Sequence, residues 1–169
     1  MFHFPGIALV WITRPLAFFV GLVLFCLPVQ AETLLTLFNP KLPEGRQTIT
    51  LTRAELMELP QVTVRTSNEF VDGTKEFVGP LARDVVAIIG HRASTQAKMT
   101  AINDYSVTID LSEFIRYDVI LAMSMDGVLL SPRGKGPIWL IYPMDDHPEL
   151  QDPIFNNRLI WQLVRIELQ

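Results

Sequence analysis

The stretch DVILAMSMDGVLLSPRGKGPIWLIYP, residues 118–143, carries the strongest indications of both fold and site in this chain. Two apolar runs flank a turn signal, Asp126-Gly127, and a glycine-rich cationic segment, RGKGP at residues 133–137. Glycine lets backbone N–H groups approach a ligand, and an arginine fork suits a phosphate or a carboxylate. An exposed charged turn between two strands has the same composition, so this segment alone leaves a binding loop and a plain turn both open.

Outward from this stretch, the sequence predicts many short strands. Alternating apolar and β-branched residues predict strands at residues 33–38, 47–51, 61–65, 98–102, 106–109, 138–142 and 159–168. Residues 119–122 and 128–130 are predicted to pair as a hairpin across Asp126-Gly127. Many short strands with a few short helices indicate an α+β fold with a mixed, strongly curved sheet.

Three short helices are predicted from their end signals. Thr52 and Glu55 have the spacing of a capping box. The second helix is predicted to open at Pro80, because proline suits the first helical position, and to end at Gly90. Its predicted apolar stripe comprises Leu81, Val85, Ile88 and Ile89. Residues 110–117 have the pattern of a third, single-turn helix.

The N-terminal region is typical of a secretory signal. Arg14 precedes an apolar run at residues 16–27, and Val29 and Ala31 are the small residues expected before a cleavage site. We therefore predict a signal peptide at residues 1–31 and export to the periplasm. The alternative is an uncleaved anchor, which the run disfavours because a membrane span needs about 20 apolar residues.

Residues 32–169 are predicted to form one domain whose composition excludes several functions. They carry all 18 acidic residues and every basic residue except Arg14, so they are one unit more negative than the −4 of the whole chain. This charge argues against nucleic acid as a partner, because nucleic-acid sites need a basic face. The chain's single cysteine, Cys26, lies before this domain. With no thiolate and only His91 and His147 as imidazoles, no disulfide and no zinc site are expected in the domain.

Other catalytic patterns are weak. No serine elbow accompanies His147, so a Ser-His-Asp triad is not predicted. Asp145, Asp146 and Glu149 have the oxygen donors that a hard cation prefers, although a surface acidic loop is the commoner explanation of such a cluster. No pair of carboxylates stands out for glycoside hydrolysis.

Five segments in a fixed order resemble one known family. They are VTVRTSN (62–68), FVGPLARDV (77–85), NDYS (103–106), DVILA with the following DG (118–122 and 126–127), and RGKGP (133–137). Their order and spacing resemble the molybdopterin-binding domain of the sulfite oxidase family. The resemblance implies the curved α+β fold of that family and a pterin pocket formed by loops at one side of the sheet.

The chain departs from the family at one position. In catalytic members, a cysteine after the strand that matches residues 62–64 ligates molybdenum, whereas Arg65 and Thr66 stand there in this chain. A hydroxyl is a poor substitute for a thiolate in holding and tuning such a metal. We therefore expect a pterin pocket without molybdenum.

This combination is similar to the small periplasmic pterin-binding regulators of the same fold. The resemblance implies that the protein binds a reduced pterin and regulates the periplasmic domain of a membrane GGDEF–EAL cyclic-di-GMP signalling enzyme. The alternative is a molybdopterin-dependent oxidoreductase of the sulfite oxidase family. An interaction protein whose pocket has decayed is a third reading, disfavoured by the retained NDYS and RGKGP segments.

The predicted site follows from the shape and polarity of a pterin. Its flat ring requires aromatic faces for stacking, and its edge requires hydrogen-bond acceptors. Asp104 is predicted to accept from that edge, while Arg133 and Lys135 would receive an anionic tail. The predicted stacking faces are Tyr105, Trp139 and Phe70, of which the last two fit a core position equally well. Thr66 and Asn68 are predicted to bond polar ring atoms, Trp161 and Phe155 are assigned to the core or rim, and no catalytic residue or metal ligand is predicted.

Overall fold

The computed structural model of the chain describes Met1, residues 32–91 and residues 94–169. From residue 32 onward, the described residues belong to one compact unit. Apart from Met1, the predicted signal peptide at residues 1–31 lies outside the described residues. Within the described part, none of the helices has the length and apolar character that crossing a bilayer requires.

The elements of the described residues are short and alternate along the chain. The strands are β1 (Thr33–Phe38), β2 (Thr48–Thr52), β3 (Gln61–Thr66), β4 (Lys75–Pro80), β5 (Gln96–Ala101), β6 (Ser106–Asp110), β7 (Ile120–Ala122), β8 (Ser124–Met125), β9 (Val128–Leu129), β10 (Trp139–Ile141) and β11 (Leu163–Leu168). The helices are α1 (Arg53–Glu58), α2 (Ala82–Ile89) and α3 (Leu111–Arg116), with three 3₁₀ helices at Met144–Asp146, Pro148–Gln151 and Pro153–Arg158. The predicted α+β class is confirmed.

The larger sheet has five strands in the order β2-β1-β11-β5-β6. β1 and β11 are parallel, and the other neighbouring pairs are antiparallel, so the sheet is mixed as predicted. The inward residues Leu35, Leu37, Met99 and Ile166 are essentially inaccessible to solvent. They pack in the main hydrophobic core together with residues of α2 and α3.

A second group of strands lies around a smaller core. One sheet has the order β3-β4-β8-β9, and β7 pairs with β10 in a two-stranded ladder. Phe77, Trp139 and Ile141 are fully buried in this core. A Cβ atom at Gly79 would collide with the backbone of Leu121, so only glycine lets β4 approach β7 this closely.

The helix-start predictions have two outcomes. The capping box is confirmed: the backbone N–H of Glu55 donates to Thr52 Oγ1 (3.3 Å), and the backbone N–H of Thr52 donates to Glu55 Oε2 (2.7 Å). The predicted helix start at Pro80 is wrong, because α2 begins at Ala82 and Pro80 is the last residue of β4. β4 itself, which the sequence analysis missed, pairs along its whole length with β3, and proline is tolerated at its end.

The predicted apolar stripe of α2 is also partly wrong. Ile88 is 40% exposed, whereas Val86 is buried and faces the core with Val85 and Ile89. The buried residues Ala82, Val85, Val86 and Ile89 have the i, i+3, i+4, i+7 spacing of one helix face, which includes Val86 and leaves out Ile88.

The predicted hairpin is formed by different strands. The Asp126-Gly127 turn joins β8 to β9, with Met125 opposite Val128, and not residues 119–122 to 128–130. β7 pairs instead with β10, which lies later in the chain. Residues 120–122 are fully buried, and the pairing of a buried strand is chosen by its tertiary neighbours more than by the nearest turn.

The predicted last strand begins later than expected. β11 starts at Leu163, because Gln162 adopts a left-handed conformation (φ 52°) that breaks the extended run. Residues 160–163 run beside β10: Leu140 N–H donates to the carbonyl of Ile160 (2.9 Å), and Leu163 N–H donates to that of Ile138 (3.1 Å). Trp161 is consequently 37% exposed instead of sharing the buried side of its neighbours.

Candidate functional site

An aromatic pocket of about 250 Å³ opens where three chain segments meet. The segments are the loop after β3, the turn between β5 and β6, and the stretch that leads from the third 3₁₀ helix to β11. Its lining residues are Phe70, Ala101, Asn103, Tyr105, Asn156, Asn157, Leu159, Ile160 and Trp161. The pocket therefore combines aromatic walls, an aliphatic floor and an amide rim. We call it the aromatic pocket.

The aromatic walls are held by edge-to-face contacts. The rings of Phe70 and Trp161 lie 5.0 Å apart at 71°, and Trp161 in turn contacts Trp139 at 6.4 Å and 88°. Such pairs contribute about 0.5–1.5 kcal/mol beyond the burial of their area. Phe70 and Trp161 thus reach the pocket from different segments in a fixed mutual orientation.

Tyr105 closes one side of the aromatic pocket. Its hydroxyl donates to the carbonyl of Asn157 (3.0 Å), and its backbone N–H donates to Asn103 Oδ1 (3.2 Å). The intervening Asp104 has a left-handed backbone (φ 65°) and an exposed side chain. Within the described residues its carboxylate has no hydrogen-bond or ion-pair partner, so it remains an available acceptor between two lining residues.

The loop after β3 is held by hydrogen bonds to Asp145, a residue that lies much later in the chain. The Asp145 carboxylate accepts hydrogen bonds from the backbone N–H of Ser67 (2.8 Å) and from Ser67 Oγ (2.7 Å). Thr66 is buried, and its hydroxyl accepts from the backbone N–H of Asp145 (3.1 Å). The predicted ring-binding hydroxyl of Thr66 is therefore already engaged, and Thr66 does not line the aromatic pocket.

The side-chain amide of Asn68 has a hydrogen-bond partner at its oxygen but none at its nitrogen among the described residues. Its Oδ1 accepts from the backbone N–H of Phe70 (2.9 Å), which sets the direction of the loop. Its Nδ2 is buried without a partner among the described residues. A buried donor of this kind is costly unless a partner accepts from it, so Asn68 Nδ2 is an available donor near Phe70.

Lys135 lies on a different hollow, and Arg133 lines neither that hollow nor the aromatic pocket. Lys135 Nζ sits 5.2 Å from the ring centroid of Trp139, and the exposed Arg133 has no partner within the described residues. Lys135 and Trp139 line a hollow of about 260 Å³ next to β8 and β9, and neither lines the aromatic pocket. Trp139 is fully buried and donates its indole N–H to the carbonyl of Leu159 (3.0 Å).

Gln162 connects the aromatic pocket to the loop that contains RGKGP (residues 133–137), which we call the cationic loop. Its side chain donates to the carbonyls of Pro132 (2.7 Å) and Gly134 (3.3 Å). Its backbone carbonyl accepts from Ile102 N–H (3.0 Å), at the start of the turn that carries Tyr105. Gln162 thereby links two of the segments that carried the family resemblance, RGKGP and the turn that contains NDYS.

The structure thus brings together part of the predicted site. Phe70 and Tyr105 line the aromatic pocket, Asp104 and Asn68 neighbour lining residues, and Thr66, Trp139, Arg133 and Lys135 lie outside the lining. The sequence analysis missed Asn103, Asn156, Asn157 and Gln162 and assigned Trp161 only to the core or rim. The sequence offered one signal for Trp161 and Gln162: a polar glutamine follows an aromatic residue inside the run that was predicted to be the last strand.

In the acidic segment after β10, the carboxylates of Asp145 and Glu149 form contacts within the fold. Asp145 binds Ser67, and Glu149 pairs with Arg116 (3.0 Å). His147 is half-buried against Tyr117, with ring centroids 5.1 Å apart. Among the described residues no group of three or more His, Cys, Asp or Glu side chains is placed to hold a metal ion.

The position of the family's metal-binding cysteine does not suit molybdenum in this chain. Thr66 there is buried with its hydroxyl already hydrogen-bonded, and Arg65 points outward to form an ion pair with Glu76 (2.9 Å). Neither side chain supplies the soft sulfur ligand that such a metal prefers.

Comparison with known proteins gives a fold likeness. No family model matches the chain, and no curated protein matches it. Among solved structures, it is similar to the sulfane dehydrogenase SoxCD from Paracoccus pantotrophus, with a TM-score of 0.59 and 16% sequence identity. The similarity covers 79% of this chain but only 37% of the neighbour's chain. It supports the predicted sulfite oxidase-type fold, and at this identity it concerns the fold alone.

Proposed function

We propose that this protein binds a reduced pterin, without molybdenum, in the aromatic pocket. The observation that carries the proposal is the convergence of Phe70, Tyr105 and Trp161, from three separate segments, around a hollow rimmed by amides. About 250 Å³ is slightly below the roughly 300–1,000 Å³ of sites for drug-sized ligands. A single small ring system suits this volume, with any substituent directed outward.

The polar groups at the rim match the edge of a pterin. The amides of Asn103, Asn156 and Asn157 offer both donors and acceptors, and Asp104 offers a free carboxylate beside them. A pterin edge presents N–H donors and carbonyl or ring-nitrogen acceptors in alternation. Aromatic faces would stack on the ring while these groups select its edge.

The identity of residues 65 and 66 supports binding without molybdenum. The chain has an engaged hydroxyl where the resembled family has its metal-binding thiolate, and its only cysteine, Cys26, precedes the fold. The alternative function, a molybdopterin-dependent oxidoreductase, is favoured only by the fold likeness to a sulfane dehydrogenase.

The resemblance to small periplasmic regulators supports a signalling role and export. On this proposal the pterin-bound protein contacts the periplasmic domain of a membrane GGDEF–EAL enzyme and changes cyclic-di-GMP synthesis or breakdown. A ligand shifts such an equilibrium only through different contacts in the two states. Tyr105, which is 48% exposed at the pocket, is placed to differ between the free and bound forms.

Direct identification of the ligand tests the proposal. The protein is purified from the periplasm of its host, its small molecules are extracted, and pterin fluorescence and molybdenum content are measured. We expect pterin and no stoichiometric molybdenum. Stoichiometric molybdenum would support the oxidoreductase, and absence of both would require a titration of the ligand-free protein.

That titration follows tryptophan emission as tetrahydrobiopterin is added. We expect Trp161, which lines the pocket, to be quenched and Phe70→Leu to weaken binding about three- to tenfold through loss of ring contacts. Phe155→Leu is the matched control, because Phe155 is also half-buried but packs against Tyr117 and Tyr142 instead. Equal effects of the two substitutions, or no quenching, would contradict the proposal.

A further inference from the structure

We infer that strand β9 and the adjacent cationic loop form a docking edge for an extended, acidic segment of a protein partner. The docking edge comprises Val128 and Leu129, the hollow that they line together with Lys135, and the exposed Arg133 of the same loop. The inference is independent of the pterin proposal, because none of these residues lines the aromatic pocket.

The docking edge is unusually apolar for a sheet edge. β9 is the last strand in the order β3-β4-β8-β9 and pairs only with β8. Val128 is 70% exposed and Leu129 is 54% exposed. Native proteins normally protect such edges with charged residues, proline or a covering loop, because the unpaired backbone groups can pair with another chain.

The backbone of β9 has groups available for pairing. Leu129 stands opposite Ser124, and the next pair is closed by a bond from Leu130 N–H to the carbonyl of Met123 (2.8 Å). In an antiparallel ladder, hydrogen-bonded and non-hydrogen-bonded pairs alternate, so the N–H and C=O of Leu129 point away from β8. An added strand can bond both groups, as in strand-addition recognition of peptides.

A hollow beside the strand would accept an aliphatic side chain of the partner. It measures about 260 Å³, and its apolar lining residues are Met125, Val128, Leu129, Leu130 and Trp139. Alternate residues of a strand point to the same side, so one side chain of an added strand enters the hollow while its neighbours remain outside.

Charge complementarity specifies the partner as acidic. Arg133 is exposed with no partner within the described residues, and Lys135 Nζ lies over the Trp139 ring at 5.2 Å. The one carboxylate of the β8–β9 hairpin, Asp126, is already engaged by Lys75 (3.0 Å) and by the backbone N–H of Glu76 (3.0 Å). Lys135 thus lines the hollow beside β9 and Arg133 is a second, exposed cation of the same loop, on a chain whose net charge of −4 would repel an acidic segment elsewhere.

The cationic loop is held in place before any partner binds. Gln162 donates to the carbonyls of Pro132 and Gly134, and Gly136 packs so closely on Leu130 that a Cβ atom would collide with its backbone. A preformed loop loses less conformational entropy on binding, which favours a role in recognition.

An NMR titration of the ¹⁵N-labelled protein tests the inference. The added peptide is an end-blocked nonapeptide of alternating glutamate and valine, compared with one of alternating lysine and valine. We expect the glutamate peptide to shift the amide signals of Leu129 and the cationic loop, and the lysine peptide to bind at least about fivefold more weakly. Backbone N-methylation of the glutamate peptide should abolish binding, since a strand addition needs its N–H groups.

Two charge-reversal variants complete the test. Arg133→Glu should weaken binding of the glutamate peptide about three- to tenfold, whereas Arg46→Glu, an equal charge change on an exposed loop of the five-stranded sheet, should not. Equal binding of the two peptides, shifts at the edge strands β2 or β6, or an unchanged affinity in Arg133→Glu would overturn the inference.

Two further outcomes assign the docking edge to other occupants. If the same signals shift with protein concentration in the absence of peptide, the edge binds a second copy of the chain. If a phosphorylated pterin displaces the peptide, the two cations receive an anionic ligand tail. Either result would overturn the docking edge, and neither depends on whether tetrahydrobiopterin binds in the aromatic pocket.

Discussion

Thr66, the last residue of β3, has a structural role in the fold. At the position where the resembled family carries a metal-binding cysteine, its hydroxyl accepts the backbone N–H of Asp145 (3.1 Å) and is shielded from solvent. A hydroxyl in this place ties two segments together, whereas a thiolate would be free to bind a soft metal. Thr66 therefore holds the 3₁₀ helix Met144–Asp146 against the end of β3.

At the same scale, Asp104→Asn tests the predicted contact with the ligand edge. Asparagine tolerates a left-handed backbone, so the φ of 65° at this position does not impede folding. Loss of the carboxylate should weaken tetrahydrobiopterin binding by about 1.5–3 kcal/mol, the range for a hydrogen bond to a charged group. An unchanged affinity in a calorimetric titration would remove Asp104 from the site.

Tyr142 determines a pH dependence of stability. It is fully buried, and its hydroxyl donates to Glu113 Oε2 (3.0 Å), which also pairs with Arg158. Burial, and then the negative charge of Glu113, raise the pKa of Tyr142 well above its ordinary value of 10.0. The unfolded chain loses this proton first, so the stabilisation is complete below pH 10 and decreases as the pH rises above it.

The measurement is the free energy of unfolding in urea between pH 8 and 11. Above pH 10 the free energy of unfolding of the wild type should fall as the pH rises. Tyr142 should contribute up to about 1.4 kcal/mol per pH unit to this slope. Tyr142→Phe should show the smaller slope, and Tyr105→Phe, at a half-exposed site, should retain the larger one. Identical slopes in all three proteins would contradict the assignment.

At the scale of elements, the loop after β3 carries Phe70 into the aromatic pocket without regular structure of its own. Its position depends on Asp145, a residue of the 3₁₀ helix Met144–Asp146, which binds Ser67 through both carboxylate oxygens. The loop also has its own turn, since Val71 N–H donates to the carbonyl of Asn68 (3.3 Å). Site geometry therefore depends on a contact between elements that lie far apart in the chain.

Asp145→Ala should loosen this loop. Removal of the accepting oxygens should cost about 1 kcal/mol, because the bonds lie near the surface. We expect faster hydrogen exchange at residues 67–75 and weaker binding of tetrahydrobiopterin. Asp146→Ala is the control, since the Asp146 side chain has no partner among the described residues, and comparable exchange in both variants would argue against the role of Asp145.

On the scale of the whole molecule, the four-stranded sheet β3-β4-β8-β9 meets the two-stranded ladder of β7 and β10 where β4 passes β7. A Cβ at Gly79 would collide with Leu121 and Ala122 backbone atoms, and the backbone cannot move aside without disturbing both ladders. The residues around this crossing belong to the smaller core, which contains Trp139 and Phe77 at 5.4 Å.

Gly79→Ala should destabilise the whole fold. Overpacking against backbone lies at or above the usual 1–3 kcal/mol, so we expect a loss of about 3 kcal/mol and a fall in Tm of roughly 6–12 °C. Gly134→Ala is the matched control, because its added Cβ would lie 3.6 Å from Ser131 O, an ordinary contact. A Tm equal to that of the wild type in a thermal melt of Gly79→Ala would disprove the close crossing.

Local chemistry in the sequence was sufficient to predict β1, the capping box at Thr52 and the turn at Asp126-Gly127. Each depends on neighbours within a few residues, which a sequence displays directly. The α+β class followed in the same way from short alternating runs, and the stacking candidates Phe70 and Tyr105 from residue type together with the family resemblance.

The tertiary structure alone decided the features that depend on distant partners. β4 exists because β3 and β8 lie on either side of it, and β7 pairs with β10 because both are buried in the smaller core. Trp161 joined the aromatic pocket because Gln162 leaves the extended conformation to bond the loop at residues 132–135, a contact that no local pattern shows. Local propensity sets which elements can form, whereas burial and long-range hydrogen bonding select their partners, because those terms are realised only when the chain is folded.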